Sequence, residues 1–288
     1  MISILIPVYD VDVRDLVQEL HDQGNSLEVP FEIICIDDAS KPAIQQCNGS
    51  IGKLEHCNYT TQKINIGRAK IRNLLAEQAQ FPYLLFLDCD AKIIRTDFLR
   101  KYQKKVTTTS VLVGGRVYPD DPGDEKKRLH WKVGRYREQR NHSAFQSNNF
   151  MIAKTIFRSL PFDESLRTYG HEDTLFGHQL INHGITIQHL DNPVLHVGLE
   201  EADEFLKKQE QAIENLIALK RRYPDLETKL TLTVAKARQW RIAGLLYLPL
   251  KIGQKRFLKF LARRARSLLW LDLYKIGYYL KMDREGLK

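Results

Sequence analysis

Apolar and polar positions follow two rhythms over the first hundred residues. Ile2 to Val8, Phe31 to Ile36 and Tyr83 to Leu87 are short, nearly continuous apolar runs. Apolar on both faces, such runs are the pattern of strands covered by helices on either side. Between them the period lengthens. Val13, Leu16, Val17 and Leu20 recur at helical spacing within residues 11–21, closed by Gly24, and a second helix is predicted over residues 66–80. A weaker strand is expected at residues 55–61. Such strand–helix alternation predicts an α/β fold with a mostly parallel central sheet, its carboxyl strand ends opening on one ligand crevice.

Further along, Val111 to Tyr118 predicts one strand, in which Gly114-Gly115 leaves room for a substrate to come close. Residues 120–140 are charged and aromatic, with His130, Trp131 and Tyr136, and read as an acceptor loop or a solvated connection. Residues 200–223 predict an amphipathic helix with Phe205, Ala212, Leu216 and Leu219 inward, stopped near Pro224. On a helical wheel of residues 255–271, Phe257, Leu258, Leu261, Ala265, Leu268 and Leu269 oppose Lys255, Arg256, Lys259, Arg263 and Arg266. Trp270, Tyr274, Tyr278 and Tyr279 follow. This pattern predicts an anchor lying on anionic lipid, or else a helix packed on the domain with its charge solvated.

Charge sharpens that picture. Residues 229–288 hold 15 Lys and Arg against 3 acids, whereas residues 1–228 hold 29 against 32. The basicity belongs to the tail, which suits an anionic surface. No zinc, helix-turn-helix or RNA-binding signature accompanies it, so nucleic acid is not expected as a partner. The four cysteines form no C-x-x-C and no paired framework, as in a reducing compartment. The first residues lack the basic-then-apolar pattern of a secretory leader, and no run of about eighteen apolar residues occurs. We therefore expect a cytoplasmic protein, peripheral on the inner face of the plasma membrane.

Candidate chemistry gathers where the strands end. Asp88 and Asp90 emerge together after the Tyr83 to Leu87 strand. Two carboxylates one residue apart repel unless a divalent ion or hydrogen-bond donors balance them, and Mg2+ or Mn2+ is commonly held by one or two carboxylates plus substrate phosphates. Asp37 and Asp38 end the second strand, where they also suit turn formation. Arg68 and Arg72 lie four apart on one helix face, either for a ligand or as a solvated basic surface.

Ser3-Ile4-Leu5-Ile6-Pro7-Val8-Tyr9, Ile36-Asp37-Asp38-Ala39-Ser40, Asn65-Ile66-Gly67-Arg68-Ala69 through Arg72-Asn73, Asp88-Cys89-Asp90 and Tyr169-Gly170-His171-Glu172-Asp173 occur in that order. Together they resemble the family-2 glycosyltransferases of the GT-A fold over roughly residues 1–200. The resemblance implies an inverting transfer from a nucleotide sugar, UDP-linked, to a hydroxyl of a glycan or a polyprenyl- or lipid-linked acceptor, as in cell-surface polysaccharide synthesis. It implies donor binding by Pro7, Tyr9, Asp38, Gly67, Arg68, Arg72 and Asp88, with Asp38 accepting from a uracil-type N–H. A divalent cation, Mn2+ or Mg2+, would be held by Asp90, with His196 and Asp88 in its shell. Asp173 would be the catalytic base, with Glu172 and Trp131 on the acceptor side. On a helix Glu172 and Asp173 point about 100° apart, so only one can be the base. With the charge split, this resemblance places a transferase domain at 1–228 (a nucleotide-binding half at 1–105, an acceptor half at 106–228) before a basic helical region at 229–288. Here Arg238-Gln239-Trp240 departs from the Q-x-x-R-W motif of processive relatives, which implies addition of one or few sugars. Two alternatives stay open: a sugar-nucleotide nucleotidyltransferase, which the Val8-Tyr9-Asp10-Val11-Asp12 loop disfavours for want of a Gly- and Arg-rich stretch with a Lys, and a non-catalytic membrane-associated scaffold.

Overall fold

The computed structural model describes residues 1–140, 145–166, 169–246, 260 and 267–286. Its chain divides into two compact units. The first comprises Met1–Pro119, Gln139–Arg167 and Glu172–Gly198; the second comprises Asp120–Glu138, Thr168–His171 and Leu199–Lys288.

In the first unit the apolar runs become strands β1 (Ile2–Val8), β2 (Phe31–Asp37), β3 (Cys57–Thr61) and β4 (Tyr83–Leu87). With β6 (Ser110–Val113), β8 (Asn149–Ala153) and β9 (Thr186–His189) they build a seven-stranded sheet in the order β3-β2-β1-β4-β8-β6-β9. Only β8 runs antiparallel to its neighbours. Side chains alternate across this sheet, so both faces carry core. Leu85 and Leu87 of β4 pack on one side with Leu16, Val17 and Leu20 of α1 (Arg14–Asn25) and Phe98 and Tyr102 of α4 (Phe98–Lys105). Leu84 and Phe86 pack on the other with α3 (Arg68–Gln78) and α7 (Glu172–Asn182). There Phe86 stacks on Phe150 at 4.8 Å and Phe162 on Phe176 at 4.3 Å. Burial of each such ring is worth about 1.5–3 kcal/mol.

The expected strand over residues 111–118 is two strands. β6 ends at Val113 in the large sheet, and β7 (Arg116–Val117) joins β5 (Ala91–Lys92) and β10 (Val194–His196) in a second sheet of order β5-β10-β7. Gly114 and Gly115 make the break. A Cβ on Gly114 would lie 2.4 Å from the Tyr102 hydroxyl and 2.6 Å from the Asn192 carbonyl oxygen, and Gly115 has φ +73°. What comes close to Gly114 is therefore the protein itself, while Gly115 is needed for its left-handed backbone.

The second unit is helical: α5 (Arg128–Val133), a π-helical turn over Gly134–Glu138, α8 (Ala202–Arg222), α9 (Lys229–Gln239) and α10 (Leu268–Glu285). α5 docks on α8 through His130, stacked on Phe205 at 4.7 Å. The tyrosines expected on a lipid-facing helix are instead interior. Tyr274, Tyr278 and Tyr279 are buried, and the Tyr274 and Tyr278 hydroxyls donate to Glu210 and Glu214 of α8. A phenol with a carboxylate partner on the neighbouring helix packs rather than partitions. The wheel over residues 255–271 lies mostly outside the described residues. Among the described residues no helix is long and apolar enough to cross a membrane.

Candidate active site

Parallel register brings the carboxyl ends of β1, β2 and β4 to one edge. Ile2 pairs with both Phe31 and Tyr83, so Pro7 to Asp10, Asp37-Asp38 and Asp88 to Asp90 follow their strands together. Pro7, Tyr9, Asp38, Arg68, Arg72, Asp88 and Asp90 line one cleft there. Asp37 is fully buried and structural: its carboxylate accepts from the Ser40 N–H at 2.7 Å and the Tyr59 hydroxyl at 2.8 Å. Asp38 accepts from the Ile66 N–H at 2.7 Å and the Gly67 N–H at 3.0 Å, shaping the entry to α3, where Gly67 has φ +86°. Burial raises the Asp38 pKa against the pull of those two N–H groups. A carboxylate has about four acceptor positions, so Asp38 retains capacity for a ligand donor.

Arg68 and Arg72 divide their roles. Arg72 is 1% exposed; its guanidinium donates to Asp88 at 2.7 Å and lies 3.8 Å from Glu172. Arg68 is partly exposed, 2.8 Å from Glu172 and 3.6 Å from Asp88. The α3 pair is thus no solvated face. It joins the acid after β4 to the acid that opens α7. Asp88 turns toward these arginines, leaving Asp90 to face elsewhere.

Asp90 meets His196 because β5 and β10 pair, His196 opposite Ala91, with the Val197 N–H donating to the Asp90 carbonyl at 2.9 Å. The Asp90 carboxylate lies 3.4 Å from His196 Nδ1. Burial pushes the Asp90 pKa up, but the His196 hydrogen bond and charge, with Arg116 and Arg68 beyond, hold it well below the usual carboxylate range. Gly198 leaves the space this carboxylate needs, since a Cβ there would sit 2.6 Å from its oxygen. Among the described residues no three His, Cys, Asp or Glu side chains form a metal-holding cluster. Two donors nevertheless fit a cation that takes its remaining ligands from phosphate and water. Adjacent donors around an octahedral ion with bonds of about 2.1 Å stand ~3 Å apart, close to the spacing found.

Asp173 lies in the first turn of α7, half-buried, accepting from the Thr174 N–H at 2.7 Å. Burial and the neighbouring Glu172 push its pKa up to about 6, against the Thr174 N–H and both arginines. Trp131 belongs to the helical unit, where it meets Tyr136 edge-on at 5.9 Å with Arg135 over its ring. Sequence reasoning missed Arg116 and Tyr118. The Tyr118 ring stands 5.2 Å from His196, and Arg116 lies over Tyr118. The available signal was two large side chains spaced two apart after Gly114-Gly115.

The sequence profile of glycosyl transferase family 2 matches residues 3–166, more than half of the chain. The chain belongs to that family, and its architecture is the GT-A fold. Solved structures agree on the fold. Mannosyltransferase PcManGT from Pyrobaculum calidifontis, in complex with GDP-Man and Mn2+, superposes with TM-score 0.58 at 14% identity, covering 99% of this chain and 86% of that one. Glucosyl-3-phosphoglycerate synthase from Mycobacterium tuberculosis, with Mn2+, UDP and phosphoglyceric acid, gives 0.52 at 14% identity, covering 76% and 78%. TarS 1-349 from S. aureus gives 0.50 at 17% identity, covering 99% and 90%. No curated protein matches the chain.

Proposed function

We propose that this glycosyltransferase moves a sugar from a UDP-linked donor to a hydroxyl of a glycan or lipid-linked acceptor, inverting the anomeric centre, in cell-surface polysaccharide synthesis. The Asp90–His196 pair beside the cleft lined by Asp38, Arg68 and Asp88 carries this reading. Asp38 would take the base N–H, while Pro7, Tyr9 and Gly67 border the nucleotide and Asp88 meets the ribose. Arg68, the exposed member of the arginine pair, is available to the diphosphate; Arg72 positions Asp88 and Glu172. Asp90 and His196 would hold Mn2+ or Mg2+. When bound, that cation supplies charge neutralisation for the departing nucleoside diphosphate.

Asp173 would take the acceptor proton as the hydroxyl attacks. Its raised pKa makes it a stronger base than an exposed aspartate, yet ionised at neutral pH. Glu172 is engaged with both arginines, which supports Asp173 as the base of the two. Trp131 is assigned to acceptor contact. Mn2+ and nucleotides in the P. calidifontis and M. tuberculosis structures support a metal-assisted reading. The basic region at 236–288 would bring the enzyme to an anionic membrane surface, the inner face of the plasma membrane, where a lipid-linked acceptor resides. The full chain incubated with Mn2+ and a panel of nucleotide sugars is expected to release UDP, and Asp90→Ala to lower that rate at least about 100-fold. Release of pyrophosphate would assign it as a nucleotidyltransferase, and no turnover with any donor as a scaffold.

A further inference from the structure

Helix α9 closes in a Schellman turn: the Arg241 N–H donates to the Arg238 carbonyl at 3.0 Å and the Ile242 N–H to the Ala237 carbonyl at 3.0 Å. The residue in the left-handed position of that turn is Arg241, φ +59°, where glycine is the unstrained choice. On either side stand exposed apolar side chains, Trp240 at 67% and Ile242 at 38% exposure, with Leu245 at 70% one turn on. Leu232, Lys236 and Trp240 lie four apart and share the outward face of α9, opposite buried Thr231, Val234 and Ala237. Arg238, by contrast, is paired with Asp283. Among the described residues the side chains of Lys236 and Arg241 make no ion pair or hydrogen bond.

A solvated corner gains nothing from exposing a tryptophan and two aliphatic side chains, and a left-handed arginine between them works against local stability. Apolar tips interleaved with unpaired cations fit one kind of partner, an interface that is oily below and anionic above. The surplus of 15 basic residues over 3 acids in residues 229–288 has the matching sign. We propose that the α9 corner, Lys236 to Leu245, is a membrane-docking wedge: Trp240, Ile242 and Leu245 enter the headgroup boundary of an anionic bilayer while Lys236 and Arg241 bind lipid phosphates. The wedge deepens the proposed attachment by naming the element that makes it. It is read without donor or acceptor, so it stands or falls apart from the transferase assay.

The test is co-sedimentation of the full chain with vesicles of equimolar phosphatidylglycerol and phosphatidylcholine, against phosphatidylcholine alone. Binding is expected to the mixed vesicles only, with a blue shift of tryptophan emission that disappears in Trp240→Phe. Trp240→Ala should weaken binding about tenfold. Arg241→Gly should weaken it about fivefold, one basic residue's share of the attraction, while leaving the melting temperature unchanged or higher. Equal binding to neutral vesicles, or wild-type binding by both folded variants, overturns the wedge. So does a solution dimer that Trp240→Ala converts to monomer, which would assign the corner to a second copy.

Discussion

Burial lifts the pKa of Asp173, whereas His196 overcomes the same burial at Asp90, so two aspartates of one unit behave oppositely toward protons. The sign for Asp173 is definite. Its folded value lies above the unfolded value near 3.9, so the folded chain holds a proton more tightly between about pH 4 and 6. Stability present below that window is lost as pH rises through it, while Asp173 becomes ionised. With Asp173 as the proposed base, we expect kcat/KM to rise with pH through about 6 and to level off about one unit higher, while urea stability falls up to about pH 6. Asp173→Asn should abolish the first trend and flatten the second; a variant keeping the acid limb would assign it elsewhere. Arg72 supports both sides of the site. Arg72→Ala removes the buried guanidinium from Asp88 and Glu172, leaving the partly exposed Arg68 beside both, and should cost about 3–5 kcal/mol in urea unfolding. Arg68→Ala, at a partly exposed pair, should cost about 1 kcal/mol or less. This division was not legible in the sequence: two arginines four apart on a helix look alike until the depth of each is known. The acids were legible because their strand was.

Strands wrote themselves plainly where both faces are buried, as in β4, since four apolar residues before Asp88 leave few other structures. The break between β6 and β7 did not. A Gly-Gly inside an apolar run marks close approach without naming what approaches, and here the neighbours, Tyr102, Asn149 and Asn192, come from distant segments. Gly114→Ala tests the break: the added methyl must displace a backbone carbonyl and should cost about 1–3 kcal/mol, read as a lower melting temperature. Because β7 leads into Tyr118, whose ring stands beside His196 and under Arg116, this variant is expected to lose more activity than its remaining folded fraction explains. Short β5 and β10 were equally hard to read. Two- and three-residue strands have no period, and only His196 itself marked the place.

Charge asymmetry between the body and the tail was visible from composition, but the fate of the tail was not. A helix carrying four tyrosine and tryptophan side chains looks interfacial by amphipathicity alone, and only the carboxylates of α8 reveal that Tyr274 and Tyr278 belong inside. Removal of residues 267–288 should therefore strip Glu210 and Glu214 of α8 of their tyrosine partners and lower the melting temperature by at least about 5 °C, measured by scanning calorimetry. A freely dispensable tail would leave it unchanged. The pairing of β5 with β10 has a wider consequence. Asp90 stands within the stretch that marks kinship, residues 3–166, whereas His196 and Asp173 lie beyond it. A shortened fragment chosen to fit the family's borders would keep Asp38, Arg68 and Asp90 and lose His196 and Asp173, the proposed second cation ligand and the proposed proton acceptor, so its silence in an assay would say nothing about the intact enzyme.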